Sequence, residues 1–115
     1  MSDHNPDLWV VVKITGNKDN PPCHKVFATW SGGYAGADTW KLNSGITQAW
    51  FVENVYSFEG NSGSVYHCHK DCYGTNLYGT GIINNLISQT EAIGVTVEIL
   101  PEQTNWLEIN YEQNC

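Results

Sequence analysis

The chain has 115 residues, of which 41% are apolar and 15% are charged. That length is close to the commonest size of one domain, and a chain of this size buries enough surface to form one core without disulfides or a structural metal. The composition excludes a disordered chain, in which charged residues would outweigh apolar ones. We therefore expect a single domain that spans residues 1–115.

The net charge is −7, from twelve acidic residues against five lysines and no arginine. Arginine is the usual bidentate partner of phosphate and guanine, so its absence argues against a nucleic-acid or nucleotide ligand. All five lysines precede Asp71, whereas acidic residues continue to the end of the chain. We expect this acidic half, with Glu102 and Glu112, to contact a basic partner surface, although such charge also serves solubility.

The sequence shows no segment that is long and apolar enough to span a membrane. Its polar start, Met1–Asp7, has no apolar stretch behind a basic end and does not resemble a signal peptide. We therefore predict a cytoplasmic protein that does not contact membranes. In that compartment the four cysteines are expected to be reduced, catalytic or metal-bound rather than paired in disulfides.

Strands dominate the predicted secondary structure. Leu8–Thr15 is rich in β-branched residues and predicts a buried strand. Further segments have the alternation or composition of strands and are separated by turn residues: Lys25–Trp30, Ile46–Glu53, Val55–Phe58, Ser64–His69, Val95–Leu100 and Trp106–Glu112.

One helix is predicted after residue 80, where apolar residues recur at helical spacing between Ile82 and Ile87. Thr80 is the expected N-cap, and Gly94 is the expected C-terminal stop. This order of elements predicts an α+β domain, with a mostly antiparallel sheet of about six or seven strands and one helix packed on it.

Four potential metal ligands lie within six residues, in the run HCHKDC that starts at His67. If Ser64–His69 is a strand, His67 and His69 project from the same face. Two imidazoles and the thiolate of Cys72 match the ligands of a first-row metal site, and Cys23 is a candidate fourth ligand. Zinc is the metal that such mixed nitrogen and sulfur ligands favour, and an open position on it would allow hydrolytic chemistry.

Two other interpretations of this cluster stay open. The spacing matches no standard zinc signature, and a strand whose histidines face solvent while Cys68 fills a small space in the core would have the same sequence. Cys72 is also a candidate nucleophile, with His67 or His69 as its base. The sequence contains no paired carboxylates near the cluster and no clear Ser-His-Asp constellation. An enzyme is therefore not the function that we expect first.

Two loops combine glycine with aromatic residues: residues 31–40 (SGGYAGADTW) and 73–81 (YGTNLYGTG). Glycine allows close approach of the backbone to a ligand, and rigid Tyr and Trp side chains are enriched at binding surfaces. We therefore predict four contact residues in these loops: Tyr34, Trp40, Tyr73 and Tyr78. Ordinary turns with tyrosines packed beneath them would have the same composition.

The run GNSGSVYHCHKDCYGTNLYGTG, together with GGYAGADTWKLNSGI upstream, resembles small accessory proteins encoded by tailed bacteriophages. The resemblance names no activity and assigns no site residue. Small acidic phage proteins in the cytoplasm are often inhibitors or decoys that bind one host protein. The resemblance therefore implies a binding role in the host cytoplasm, although origin alone does not establish function.

The function that the sequence favours first is that of a non-enzymatic protein, which binds a protein partner through the two aromatic loops and its acidic surface. One alternative is a zinc-binding domain centred on His67, His69 and Cys72, whose activity, if it is an enzyme, would be hydrolysis. The other is a small-ligand binder that uses loops 31–40 and 73–81.

Overall fold

The computed structural model describes residues 3–16, 22–31, 38–109 and 111. This part of the chain is an α+β fold, which confirms the predicted class. Its elements follow in chain order: β1 Asp3–His4, β2 Leu8–Thr15, β3 Cys23–Trp30, β4 Thr39–Leu42, β5 Ile46–Val52, β6 Val55–Gly60, β7 Val65–His69, α1 Leu77–Glu91 and β8 Thr96–Ile99. A 3-10 turn, Lys70–Cys72, follows β7. None of the helices described here has the length and apolar character that a membrane span needs.

The strands form two four-stranded sheets, whereas the sequence predicted one. Sheet A has the order β1-β7-β6-β5, and sheet B has the order β4-β3-β2-β8. Neighbouring strands are antiparallel throughout, except that β1 runs parallel to β7. The mostly antiparallel arrangement was therefore predicted correctly, and the division into two sheets was not.

The two faces of β2 explain this division. Trp9 and Val11 face a core between the two sheets, whereas Val10 and Val12 face a second core under α1. A strand that is apolar on both faces needs a layer on each side, which is why its sequence does not alternate. Sheet B is thus the middle of three layers, with sheet A on one side and α1 on the other.

Two strand predictions differ from the structure. Trp106–Glu112 was expected to be a strand, but residues 106–108 form a turn that inserts Trp106 into the core, 5.6 Å from Trp9 between ring centroids. Glu112 lies outside the described residues. Thr39 and Trp40 were expected to belong to the loop 31–40, but they form the first half of the short strand β4, whose four residues are too few to show alternation.

Helix α1 begins at Leu77, because Asn76 rather than Thr80 caps it. The side-chain oxygen of Asn76 accepts a hydrogen bond from the backbone N–H of Gly79 at 2.8 Å. This bond satisfies one of the free donors of the first turn. Gly94 ends the helical region as predicted, with a φ of +77° that favours glycine.

The two glycines of α1 provide a matched test of how the helix packs. A Cβ at Gly79 would lie 3.1 Å from Thr29 and 3.2 Å from Phe27, and closer still to Thr75, whereas a Cβ at Gly81 meets nothing within 4 Å. We expect Gly79→Ala to lower the free energy of unfolding by about 1–3 kcal/mol, because the helix must move off sheet B. Gly81→Ala should raise it by about 0.5–1 kcal/mol through helix propensity. Urea denaturation measures both changes, and equal effects of the two variants would contradict the close contact at Gly79.

Candidate functional site

The end of β5 exposes three consecutive apolar side chains. Trp50 is 38% exposed, Phe51 39% and Val52 60%. The turn Glu53-Asn54 follows, and both of its residues have a positive φ, as in the two-residue turns that join antiparallel strands tightly. Trp50 and Val52 lie on the outer face of sheet A, whereas Phe51 lies on the inner face with its ring 4.5 Å from that of Tyr56.

The backbone of β5 is open on one side, because β5 is the last strand of sheet A in the described chain. The pair Val52–Val55 closes the turn and exchanges both hydrogen bonds, and the next bonded pair is Trp50–Ser57. Ala49 and Phe51 therefore direct their N–H and C=O groups away from β6. An added strand would find these groups unpaired.

The usual devices that protect an edge strand are weak in β5. Its sequence, ITQAWFV, contains neither lysine nor proline, and its one irregularity in register lies between Ile46 and Gln48, at the far end from Trp50. Natural proteins generally mask such an edge with charge, proline or a covering element. The end of β5 is therefore an apolar edge that lacks these devices.

Two acidic side chains lie close to β5. Glu53 lies in the turn, and Glu59 on β6 accepts a hydrogen bond from Gln48 of β5. Lys70 approaches the turn through its backbone N–H, which donates to the carbonyl of Asn54 at 2.9 Å. Its ammonium, however, lies 3.2 Å from a carboxylate oxygen of Asp71. Glu53 and Glu59 therefore place negative charge close to this edge.

The predicted metal ligands point in different directions. His67 and His69 lie on the outer face of sheet A as predicted, while Cys68 is buried in the core and Cys72 packs against that same core. Burial raises the pKa of the Cys68 thiol, as expected of an inert core cysteine. Over the described residues, no group of three or more His, Cys, Asp or Glu side chains is placed to hold a metal ion.

The outer face also contains a serine, a histidine and an aspartate in a row. Ser57 Oγ lies 3.0 Å from His67 Nδ1, and His67 Nε2 lies 3.8 Å from Asp3 Oδ1. These are the residue types of a catalytic triad, but Ser57 is only 5% exposed and lies in the middle of β6. A nucleophile must reach a substrate carbonyl. We therefore interpret the row as polar pairing across neighbouring strands.

The state of the cysteines corrects one expectation. Cys68 and Cys72 are free, as predicted, but Cys23 is disulfide-bonded. The expectation that all four cysteines are reduced is therefore wrong, because a disulfide depends on residues that the fold brings together and that spacing does not reveal. The disulfide also removes the Cys23 thiolate from the proposed metal ligands.

This oxidation state can be measured directly. If the unfolded protein is alkylated without a reductant, we expect modification of Cys68 and Cys72 and none of Cys23. Addition of a reductant before alkylation should then expose Cys23. Peptide mass spectrometry distinguishes the sites, and alkylation of Cys23 before reduction would contradict the disulfide.

The contact residues predicted in the aromatic loops differ in their burial. Tyr73 lies in the core, where its hydroxyl donates to the carbonyl of Leu100 and accepts from the N–H of Val11, and burial raises its pKa to about 12. Trp40 and Tyr78 are each 39% exposed, although Trp40 also stacks on Phe27. Tyr34 lies outside the described residues.

Ser31 and Asn76, one residue from each of the two predicted loop segments, are in contact. The side-chain amide of Asn76 donates to Ser31 Oγ at 3.2 Å and so links the start of α1 to the end of β3. Glu102 is exposed in the turn after β8, near Tyr73, whose pKa it helps to raise. Sequence reasoning thus identified Trp40 and Tyr78 as exposed aromatics, although they lie on β4 and α1 rather than in loops, and it missed Trp50, Phe51 and Val52. Their only signal was the apolar run AWFV before a turn.

Comparison of the chain with protein-family models, with curated proteins and with solved structures gave no match.

Proposed function

We propose that this chain is a protein-binding domain that captures an extended segment of a partner protein along β5. The observation that carries the proposal is the presence, on one edge strand, of unpaired backbone groups beside three exposed apolar side chains. Strand addition uses both features, since main-chain hydrogen bonds supply affinity and alternate side chains supply specificity.

The geometry of β5 defines how the partner segment binds. Its backbone pairs with the outward N–H and C=O groups of Ala49 and Phe51. Side chains on one side of the added strand contact Trp50 and Val52, and those on the other side contact Phe51. Trp50 is the expected anchor, because large aromatic side chains commonly contribute most of the binding energy of an interface.

The negative charge of the chain favours a different protein, rather than a second copy of this chain, as the partner. The chain carries a net charge of −7, and the acidic residues nearest to the edge are Glu53 and Glu59. Two copies paired through β5 would bring these like charges together, whereas a segment with lysine or arginine beside its apolar residues would be attracted. The partner segment is therefore extended, alternately apolar and flanked by basic residues.

The proposal keeps the non-enzymatic, protein-binding role expected from the sequence and moves the contact from the loops to β5. The resemblance alone suggests that the chain is a phage-encoded inhibitor or decoy and that its partner is a protein of the host cytoplasm. The Cys23 disulfide argues against that cytoplasmic location, because a lasting disulfide indicates an oxidising compartment, and the alkylation measurement tests the point.

The test is a selection from a random library of displayed peptides, preceded by native mass spectrometry of the protein. Three forms are used as bait: wild type, Ala49→Pro and Ala49→Val. The outward N–H of Ala49 makes no bond to β6, so proline removes a donor for the partner and leaves the hairpin ladder intact. Valine changes the side chain and keeps the N–H.

We expect a monomer by native mass, and we expect wild type and Ala49→Val to enrich peptides with alternating apolar residues and flanking lysine or arginine. Ala49→Pro, with an unchanged circular dichroism spectrum, should not enrich them. A dimer that Ala49→Pro dissociates would assign β5 to a second copy and overturn the proposed partner. Failure of wild type to enrich any such peptide, or equal enrichment by Ala49→Pro, would overturn strand addition.

A further inference from the structure

Independently of β5, the opposite side of the molecule contains a cavity of about 80 Å³ between α1 and sheet B. Its floor is formed by four buried side chains, one each from β2, β3, β8 and α1: Val12, Phe27, Val97 and Ile83. Its rim is formed by partly exposed side chains, among them Ile14 and Leu42. The cavity therefore has a closed apolar floor and a mouth toward the surface.

The cavity offers no hydrogen-bonding partner to water. Thr90 is the one polar residue in its lining, and its hydroxyl is bonded to the carbonyls of Leu86 and Ile87 at 2.9 and 3.1 Å. A water molecule needs two to four polar partners to remain in such a space. The cavity is therefore dry and has affinity for apolar groups.

The way in which α1 is seated explains the space. The buried residues of the helix, Gly79 and Ile83, lie in its first half, and the missing side chain of Gly79 lets the backbone approach Phe27 closely. Leu86 and Thr90, one and two turns further on, are only partly buried. The helix contacts sheet B closely at its start and leaves the cavity beneath its second half.

We propose that this cavity binds the end of a short, uncharged alkyl chain, with any polar group of the ligand left at the rim. The volume is about half that of an engineered apolar cavity that holds benzene, which suits a chain of about four carbons. No charged side chain lines the cavity. The lining selects for apolar length and against charge or a buried hydroxyl.

The test compares 1-butanol with 1,4-butanediol by NMR of the methyl groups of wild-type protein. Butanol can keep its hydroxyl in water at the rim, whereas the diol must bury one. We expect butanol to shift the Ile83 and Val97 signals saturably, and we expect the diol to bind at least about tenfold more weakly, because an unpaired buried hydroxyl is unfavourable. Equal shifts with both alcohols, or no saturable shift with butanol, would overturn the proposal.

Two variants of α1 extend the test. Thr90→Leu places a larger apolar side chain into the mouth of the cavity and should abolish the butanol shifts. Gln89→Leu introduces the same side chain at the neighbouring exposed position and should preserve them. Persistence of the shifts in a folded Thr90→Leu protein would overturn the proposed location. The comparison of the two alcohols does not depend on whether either variant folds.

Discussion

Replacement of Trp50 by lysine is expected to weaken binding of the selected peptides by at least about 30-fold, because the substitution removes the aromatic anchor at the edge of β5. Lysine on an edge strand also opposes strand addition, and it would repel the basic flanks of the partner. The fold should persist, since Trp50 is partly exposed on the outer face of sheet A. Fluorescence anisotropy with a labelled selected peptide measures the loss.

The matched control is Ile99→Lys, which places the same charge on β8 at a residue that is 43% exposed. β8 is one of the two edge strands of sheet B in the described chain. We expect this variant to bind the peptides as tightly as wild type within about twofold, since surface changes outside an interface have small effects. If Ile99→Lys weakened binding as much as Trp50→Lys, the loss would reflect net charge rather than the β5 surface.

Tyr73→Ala is expected to lower the free energy of unfolding by about 3–5 kcal/mol, comparable to other large aromatic truncations in cores. The ring of Tyr73 lies 4.7 Å from that of Trp9 and 5.3 Å from that of Trp106, between centroids. Its truncation opens a cavity and leaves the N–H of Val11 and the carbonyl of Leu100 without their partner. A domain of this size has little stability beyond that amount.

Two further tyrosine variants separate the ring from the hydroxyl and the core from the surface. Tyr73→Phe keeps the ring and should cost about 1–3 kcal/mol, because it removes only the hydrogen bonds. Tyr78→Ala, on the exposed side of α1, should cost less than about 1 kcal/mol. Urea denaturation of the three variants orders these effects. A Tyr73→Ala protein as stable as Tyr78→Ala would show that Tyr73 does not hold the core together.

The sequence predicts most of the strands, because alternation and β-branched composition are local properties. Leu8–Thr15 coincides with β2, and the hairpin of β6 and β7 follows from its turn residues. The division into two sheets depends instead on contacts between distant segments. The placement of Trp106 in the core also has no local signal, because the residues around it in the sequence do not distinguish a buried turn from a strand.

The candidate site shows where local reasoning fails. Ile46–Glu53 was correctly expected to be a strand, but its position at the edge of sheet A depends on strand order, which sequence alone does not reveal. Tyr73 and Tyr78 were expected in one glycine-bearing loop, yet Tyr73 packs in the core and Tyr78 is half exposed on α1. The open backbone of β5 has no side-chain signature.

The most direct test of strand addition is amide hydrogen exchange of β5 with and without a selected peptide. In the free protein the N–H groups of Ala49 and Phe51 face the open edge and should exchange rapidly, whereas that of Trp50 is already bonded to β6. We predict that the peptide slows exchange at Ala49 and Phe51 by at least about tenfold and changes Trp50 much less. Unchanged exchange at Ala49 and Phe51 in the presence of saturating peptide would contradict binding at this edge.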